Sequence, residues 1–227
     1  MTVRMSIFRK LPHLGAAEFQ SYWQDVHAPI ALRIPALQRY EQNCVVDTSQ
    51  TGDPAHFDAI DGVCKLSFAD EAAMQGVMSP EMRQMLMDDE AQFLEGLRTF
   101  VVRPVTPVPV AAGALTKCVS LVTRKGDLGA PEFEARWSGP FAARMRELPG
   151  IRGYAQNFVT ARTAARQPAS YAQVPVDCID ELWLEPAVAA DAIARMQRHA
   201  ADHAATLNIF VVTVNVPTIP GKGEPDD

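Results

Sequence analysis

The chain runs twice through the same succession of hydrophobic periods. Residues 3–10 (VRMSIFRK) and 117–124 (KCVSLVTR) are rich in apolar and β-branched residues and predict strands. Behind the first, Phe19, Trp23, Val26, Ile30 and Ile34 recur at helical spacing. Phe133, Trp137, Phe141, Met145 and Leu148 do the same behind the second. Helices are therefore predicted over about 16–33 and 130–147, ended by Pro35 and Pro149. Segments 37–46 and 151–160 read as strands, followed by polar loops containing Thr51-Gly-Asp-Pro54 or residues 164–170. Strands at about 58–68 and 177–184 come next, then second helices at roughly 80–97 and 187–206. Ser79, Pro80 and Glu81 open the first of these. Last strands follow at 99–105 and 208–216.

The two sets are copies of each other. Residues 16–43 align with 130–157 without a gap at an offset of 114, matching Glu18/Glu132, Phe19/Phe133, Trp23/Trp137, Pro35/Pro149, Tyr40/Tyr154, Gln42/Gln156 and Asn43/Asn157. Asp58-Ala-Ile-Asp61 matches Asp177-Cys-Ile-Asp180 at an offset of 119, which puts five extra residues in the second copy's loop. Phe100-Val-Val answers Phe210-Val-Val. The order βαββαβ is the ferredoxin-like unit. The expected fold class is α+β, with two ferredoxin-like βαββαβ repeats over 1–110 and 115–220, a Pro-rich linker at 104–114 and a disordered tail at 221–227. A sheet covered by helices on one face needs cover on the other. The copies are therefore expected to pack sheet to sheet as an intramolecular dimeric α+β barrel.

Composition narrows the function. Of 227 residues 48% are apolar and 21% charged, which are globular values. The net charge is −6, and no Lys/Arg run occurs, so nucleic acid and anionic membranes are not expected partners. No apolar stretch approaches the ~20 residues of a bilayer span, and the first residues do not read as a secretory signal. Cys44, Cys64, Cys118 and Cys178 show no CxxC spacing; free thiols in a cytoplasmic protein are the expectation.

The run Phe19-x3-Trp23-x3-His27-Ala-Pro29, continued by Ile34-Pro35-x-Leu37-x2-Tyr40-x-Gln42-Asn43-x-Val45 and by the Asp58-x-Ile-Asp61 strand, resembles the EthD-like group of dimeric α+β barrel proteins. Members of that group commonly show Asp-Gly-Ile-x-Glu-x-Trp in the last strand named. The second copy keeps Glu181 and Trp183, where the first has Gly62 and Cys64. The resemblance implies a pocket between the first helix and the sheet. Relatives such as methylmuconolactone isomerases and fungal dehydratases or decarboxylases imply proton transfer on small lactones or polyketide-derived rings, with no cofactor and no metal.

Differences between the copies single out candidates. His27 aligns with Phe141, so it is expected to turn an imidazole inward as a general acid/base. Tyr40 and Tyr154 are candidate donors to a substrate oxygen, with Gln42 on the same strand face as Tyr40. Cys64 is paired by the 119 offset with Trp183, a small group against a bulky one, which implies a cavity in the first copy and a plug in the second. Asp61 and Glu181 are candidate bases, Glu181 with a pKa raised by an apolar cavity. Trp23 and the methionines from Met74 to Met87 would wall the pocket. His199 and His203 have the spacing of a helical metal pair but read as a helix flank. The expected function is a cofactor-independent isomerase or lyase acting on a small lactone, enol or aromatic carbonyl compound. The rivals are a non-catalytic binding or accessory protein and a haem- or oxygen-handling barrel protein. A homodimer of the fused chain is compatible with this.

Overall fold

The structure is a computed structural model that describes residues 1–51, 60–75 and 78–220. The first half runs β1 (Thr2–Lys10), α1 (Ala16–Ser21), a π-helical turn (Tyr22–His27), α2 (Ala28–Ala31), β2 (Leu37–Thr51), β3 (Gly62–Phe68), α3 (Glu71–Gln75), α4 (Pro80–Glu90) and β4 (Leu94–Val108). The second half runs β5 (Thr116–Arg124), α5 (Ala130–Arg136), a π-helical turn (Trp137–Phe141), α6 (Ala142–Arg146), β6 (Ile151–Ala164), β7 (Gln167–Pro168), β8 (Cys178–Leu184), α7 (Ala189–Ala200) and β9 (Ala204–Asn215). Asp58 and the 221–227 tail lie outside the described residues.

Eight strands make one antiparallel barrel in the order β4-β1-β3-β2-β9-β5-β8-β6, closed by β4 on β6, with β7 beside β6. The halves thus share an interior, and they are also joined edge to edge. β2 outruns β3 and continues along β9, with Thr48 opposite Phe210; β6 continues along β4, with Ala161 opposite Val101. Every long strand therefore has two neighbours, which removes the exposed edges an open sheet would carry. Period-2 alternation sends Val3, Met5 and Ile7 inward to meet Val119, Leu121 and Phe210. It sends Arg4, Ser6 and Phe8 outward, under the helices.

Three boundaries differ from the sequence reading. The supposed linker begins as strand, which runs to Val108: Pro104 and Val105 lie opposite Asn157 and Gln156, beyond the end of the β1 pairing, where β4 has one partner and a missing N–H is tolerated. The second helices stop at Glu90 and Ala200, and their apolar continuations (Leu94 and Leu97; Leu207) already belong to strands. Gly96, at φ +65°, interrupts the helical reading. The third correction concerns register. Gln42 lies opposite Cys64 on β3, and Gln156 lies opposite Asp180 on β8. Ser6 and Ser120 give the same answer from the other side. Cys64 therefore matches Asp180, Asp61 matches Asp177, and Ser67, not Cys64, matches Trp183. The offset in this strand is 116, and the second half has two extra loop residues rather than five.

One end of the barrel interior is polar. Lys117 bonds Glu181 at 2.8 Å and also Glu41, while Lys65 closes the group on Glu181. All but Lys65 are fully or almost fully buried.

Candidate active site

Both first helices widen into a π turn at their tryptophan. The Ala28 N–H reaches back to the Trp23 carbonyl, and the Gln42 amide donates to the same oxygen at 2.8 Å. Ala142, Trp137 and Gln156 repeat this in the second half. The wide turn presents Trp23 and His27 to the outer face of the sheet. Gly62 makes room for the tryptophan: a Cβ there would stand 2.6 Å from the Phe8 ring and 2.9 Å from Trp23.

In the first half a cavity of about 410 Å³ lies between this helix, α4 and the sheet. That is ample for a small organic ligand. Its floor is aromatic and aliphatic, with Phe8, Trp23, Ile34, Leu86 and Phe93, and Met74, Met78 and Met87 add flexible walls. His27, Tyr40 and Cys64 line it together with Trp23, so the structure gathers four of the expected site residues in one place.

The His27 Nδ1 lies 2.6 Å from Asp89 Oδ2, and the Tyr22 hydroxyl donates to Asp89 Oδ1 at 3.0 Å. Burial pulls the imidazole below its ordinary value, against the pull of the carboxylate, so the ring is neutral near pH 7. The acceptor carboxylate assigns the ring proton to Nδ1. Nε2, which no described residue takes, is left with a free lone pair at the cavity wall. The Phe93 ring, 5.0 Å from the imidazole, shields it.

Tyr40 accepts two hydrogen bonds, from Trp23 Nε1 at 2.8 Å and from Gln42 at 3.1 Å. Its own proton has no acceptor among the described residues. Burial pushes the phenol well above its ordinary pKa, so it stays a donor. Asn215, from the second half, fixes the other end of the Gln42 amide at 2.7 Å. Gln42 thus acts from behind Tyr40 and does not line the cavity.

The remaining expectations are corrected. Burial pushes the Cys64 thiol up to about 12, so it is a wall and not a thiolate nucleophile. Asp61 takes the Lys10 N–H at 2.9 Å at the head of β3 and does not reach the cavity. Glu181 faces the barrel interior, where Lys117 and Lys65 outweigh burial and hold its carboxyl low, the opposite of the raised value expected. Trp183 also points inside the barrel, its ring 4.8 Å from the Lys117 ammonium, and plugs no pocket.

Tyr154 does not line the cavity either. It donates to Asp180 at 3.0 Å in the second half, whose matching space is filled. There Trp137 and Phe141 stack with centroids 3.7 Å apart, and Met145 and Met196 are fully buried. No group of three or more His, Cys, Asp or Glu side chains able to hold a metal ion occurs among the described residues, the His199/His203 pair included. No described helix is long and apolar enough to cross a membrane.

Two residues of the candidate site escaped the sequence reading. Asp89 follows Met82 and Leu86 on one face of α4, an acid on an apolar stripe, and that was the available signal. Arg4 breaks the apolar run of β1; its match, Cys118, is fully buried.

Residues 11–96 match the family model described as EthD domain. No curated protein sequence matches. Among solved structures, an anthrone oxidase-like protein is similar with TM-score 0.60 and 9% identity, over 95% of this chain and 92% of that one. A candidate monooxygenase from Fusobacterium nucleatum gives 0.58 and 10%, over 95% and 93%. A candidate chlorite dismutase gives 0.52 and 10%, over 94% and 95%. At these identities the likeness is one of fold, the α+β barrel.

Proposed function

We propose that this EthD-type α+β barrel moves a proton on a small cyclic enol, lactone or aromatic carbonyl compound, as an isomerase or lyase, in the cavity of its first half. The observation that carries the reading is the His27–Asp89 contact beside an unspent Tyr40 hydroxyl. Nε2 of a neutral, desolvated His27 takes a proton from a carbon next to a carbonyl. Asp89 holds the tautomer and stabilises the imidazolium that forms. Tyr40 donates its hydrogen bond to the oxygen that gains charge. Returning the proton to another carbon gives isomerisation; loss of a β-leaving group gives elimination. We read the halves, 1–110 and 115–220, as ferredoxin-like βαββαβ copies, of which the second became scaffold.

A second reading shares the first step. In this reading, which the names of the anthrone oxidase-like and monooxygenase neighbours motivate, the carbanion forms a C–O bond to dioxygen, reducing it to a peroxide that takes up a proton. The same base would serve. Deuterium exchange tests the common step without the natural substrate. Anthrone and a cyclic 1,3-diketone in D2O are followed by NMR. Wild type should accelerate exchange and His27→Phe should not; no acceleration by wild type removes the reading in favour of a binding protein.

A further inference from the structure

The lining of the cavity is positive although the chain is acidic. Four guanidiniums, those of Arg4, Arg83, Arg162 and Arg166, line it against one carboxylate, Glu90, in a protein of net charge −6. Arg4 is the informative member. It stands on β1 beside Ser6 and Cys64, and its Nε is buried with no hydrogen-bond partner among the described residues. Burying a guanidinium without a counter-charge is costly. The second half avoids that cost by placing Cys118 at the matching position.

Arg162 and Arg166 come from the second half, carried over the first by the extension of β6 along β4. Arg162 is held by the Val174 carbonyl at 2.9 Å and by the Tyr171 ring at 5.1 Å. Arg166 forms an ion pair with Glu90. A surface depression of about 480 Å³ shares Glu90, Leu94, Leu97 and Arg166 with the cavity, so this pair stands at the neck between the two.

We propose that the cavity takes an aromatic or alicyclic carboxylate, its ring on the Trp23–Phe93 floor beneath His27 and its carboxylate on Arg4, with Arg162 and Arg166 of the second half closing the anion site. The inference rests on the same cavity as the proton-transfer reading and adds the substrate's charge. A guanidinium fork matches a carboxylate in two parallel hydrogen bonds, which a neutral ring cannot return. Cationic walls in a low-dielectric cleft also raise the local concentration of anions.

The test compares 1-hydroxy-2-naphthoate with 1-naphthol, the same ring without the carboxylate, by titration calorimetry. Wild type should bind the naphthoate at least about tenfold more tightly, the scale of one charge-assisted hydrogen bond. Arg4→Met should abolish the preference and keep the naphthol affinity. Arg166→Ala, at a half-exposed side chain, tests the same site without touching the core; it leaves Glu90 unopposed at the neck and should also weaken the naphthoate selectively. Equal binding of the two probes by wild type would overturn the proposal. So would a preference that survives both substitutions, or no binding of the naphthoate at millimolar concentration. Anion preference without deuterium exchange would keep this site and remove the proton-transfer reading; exchange without anion preference would do the reverse.

Discussion

Lys65 and Glu181 stand at matching places in the two halves and meet as an ion pair inside the barrel. In a symmetric homodimer, matching residues are identical, and like charges would face each other there. Fusion in one chain lifts that constraint. Lys117, at the place matching Val3, then joins Glu181 to Glu41. This cross-half cluster fixes which strands meet, and it belongs to the scaffold.

Its removal should be felt as a loss of acid sensitivity. Burial alone would raise the Glu181 carboxyl, but Lys117 and Lys65 outweigh it and hold the group below its ordinary 4.5. A depressed carboxylate stabilises the fold fully above that value and loses its contribution as the pH falls below it. Glu181→Gln should cost about 3 kcal/mol at pH 7, because Lys65 loses its carboxylate and the buried Lys117 ammonium is left with Glu41 alone. Its unfolding should also change less than that of wild type between pH 5 and pH 3. Urea melts at several pH values check both; parallel wild-type and variant curves would be the contrary result.

Asp180 should behave with the opposite sign. Burial raises its carboxyl to about 7, against donors from Cys178, Trp137 and Tyr154. The folded state therefore holds a proton that the unfolded state releases, and stability falls as the pH rises from about 4 to about 7. Asp180→Asn should gain on wild type across that window, by on the order of a few kcal/mol. Melting wild type and variant at pH 5 and pH 8 measures the change.

What the sequence made legible follows from how locally each feature is encoded. The tandem repeat, both first helices and the placement of His27, Tyr40 and Trp23 at one cavity rest on short-range spacing that needs no register. The third strand was misread because Asp-x-Ile-Asp matches itself at 119, whereas the pairing of β3 with β2 and of β8 with β6 imposes 116. Glu181 looked like a pocket base because no face was assigned along that strand; Asp180 beside it is the residue that meets Trp137 and Tyr154. Asp89 has no acidic match in the second half to draw attention to it. Arg162 and Arg166 reach the first half's cavity only because the barrel closes β6 on β4, which no local pattern states.

The two tyrosines separate function from support. Tyr40→Phe leaves Trp23 Nε1 without its acceptor and the Gln42 amide with only the Trp23 carbonyl, and should cost about 1–3 kcal/mol. It should also lower turnover by about 10²–10³, as expected for a lost oxyanion donor. Tyr154→Phe should cost comparable stability and leave kcat unchanged. A loss of activity in both variants would return Tyr40 to a structural role.

The filled second half predicts one ligand per chain. Titration should saturate at a single site, because Trp137 and Phe141 occupy the matching space. Phe141→Ala would open a void there. With Cys118 and His199 at the places of Arg4 and Asp89, it should bind apolar fragments but support no turnover. Two equivalent sites in wild type would contradict the asymmetry.

The pH dependence of turnover offers the sharpest test of His27. The reaction needs a neutral imidazole, so the rate should fall as the pH drops through the His27 pKa, which burial places below 6.5. Asp89 pulls that value up by bonding and charge. Asp89→Asn removes the charge, so the acid limb should move to lower pH. The plateau rate should fall about tenfold or more, since an amide can accept or donate and no longer fixes the proton on Nδ1. A merely structural Asp89 would lower stability and leave the limb in place. His27→Phe should cost about 10²–10⁴ in rate and lose the limb altogether. Phe is accommodated at the matching position 141, and Tyr22 still donates to Asp89, so the variant should fold, with a stability loss of about 1–3 kcal/mol from the half-satisfied carboxylate. An unchanged limb in Asp89→Asn, or full activity in His27→Phe, would place the base elsewhere in the cavity.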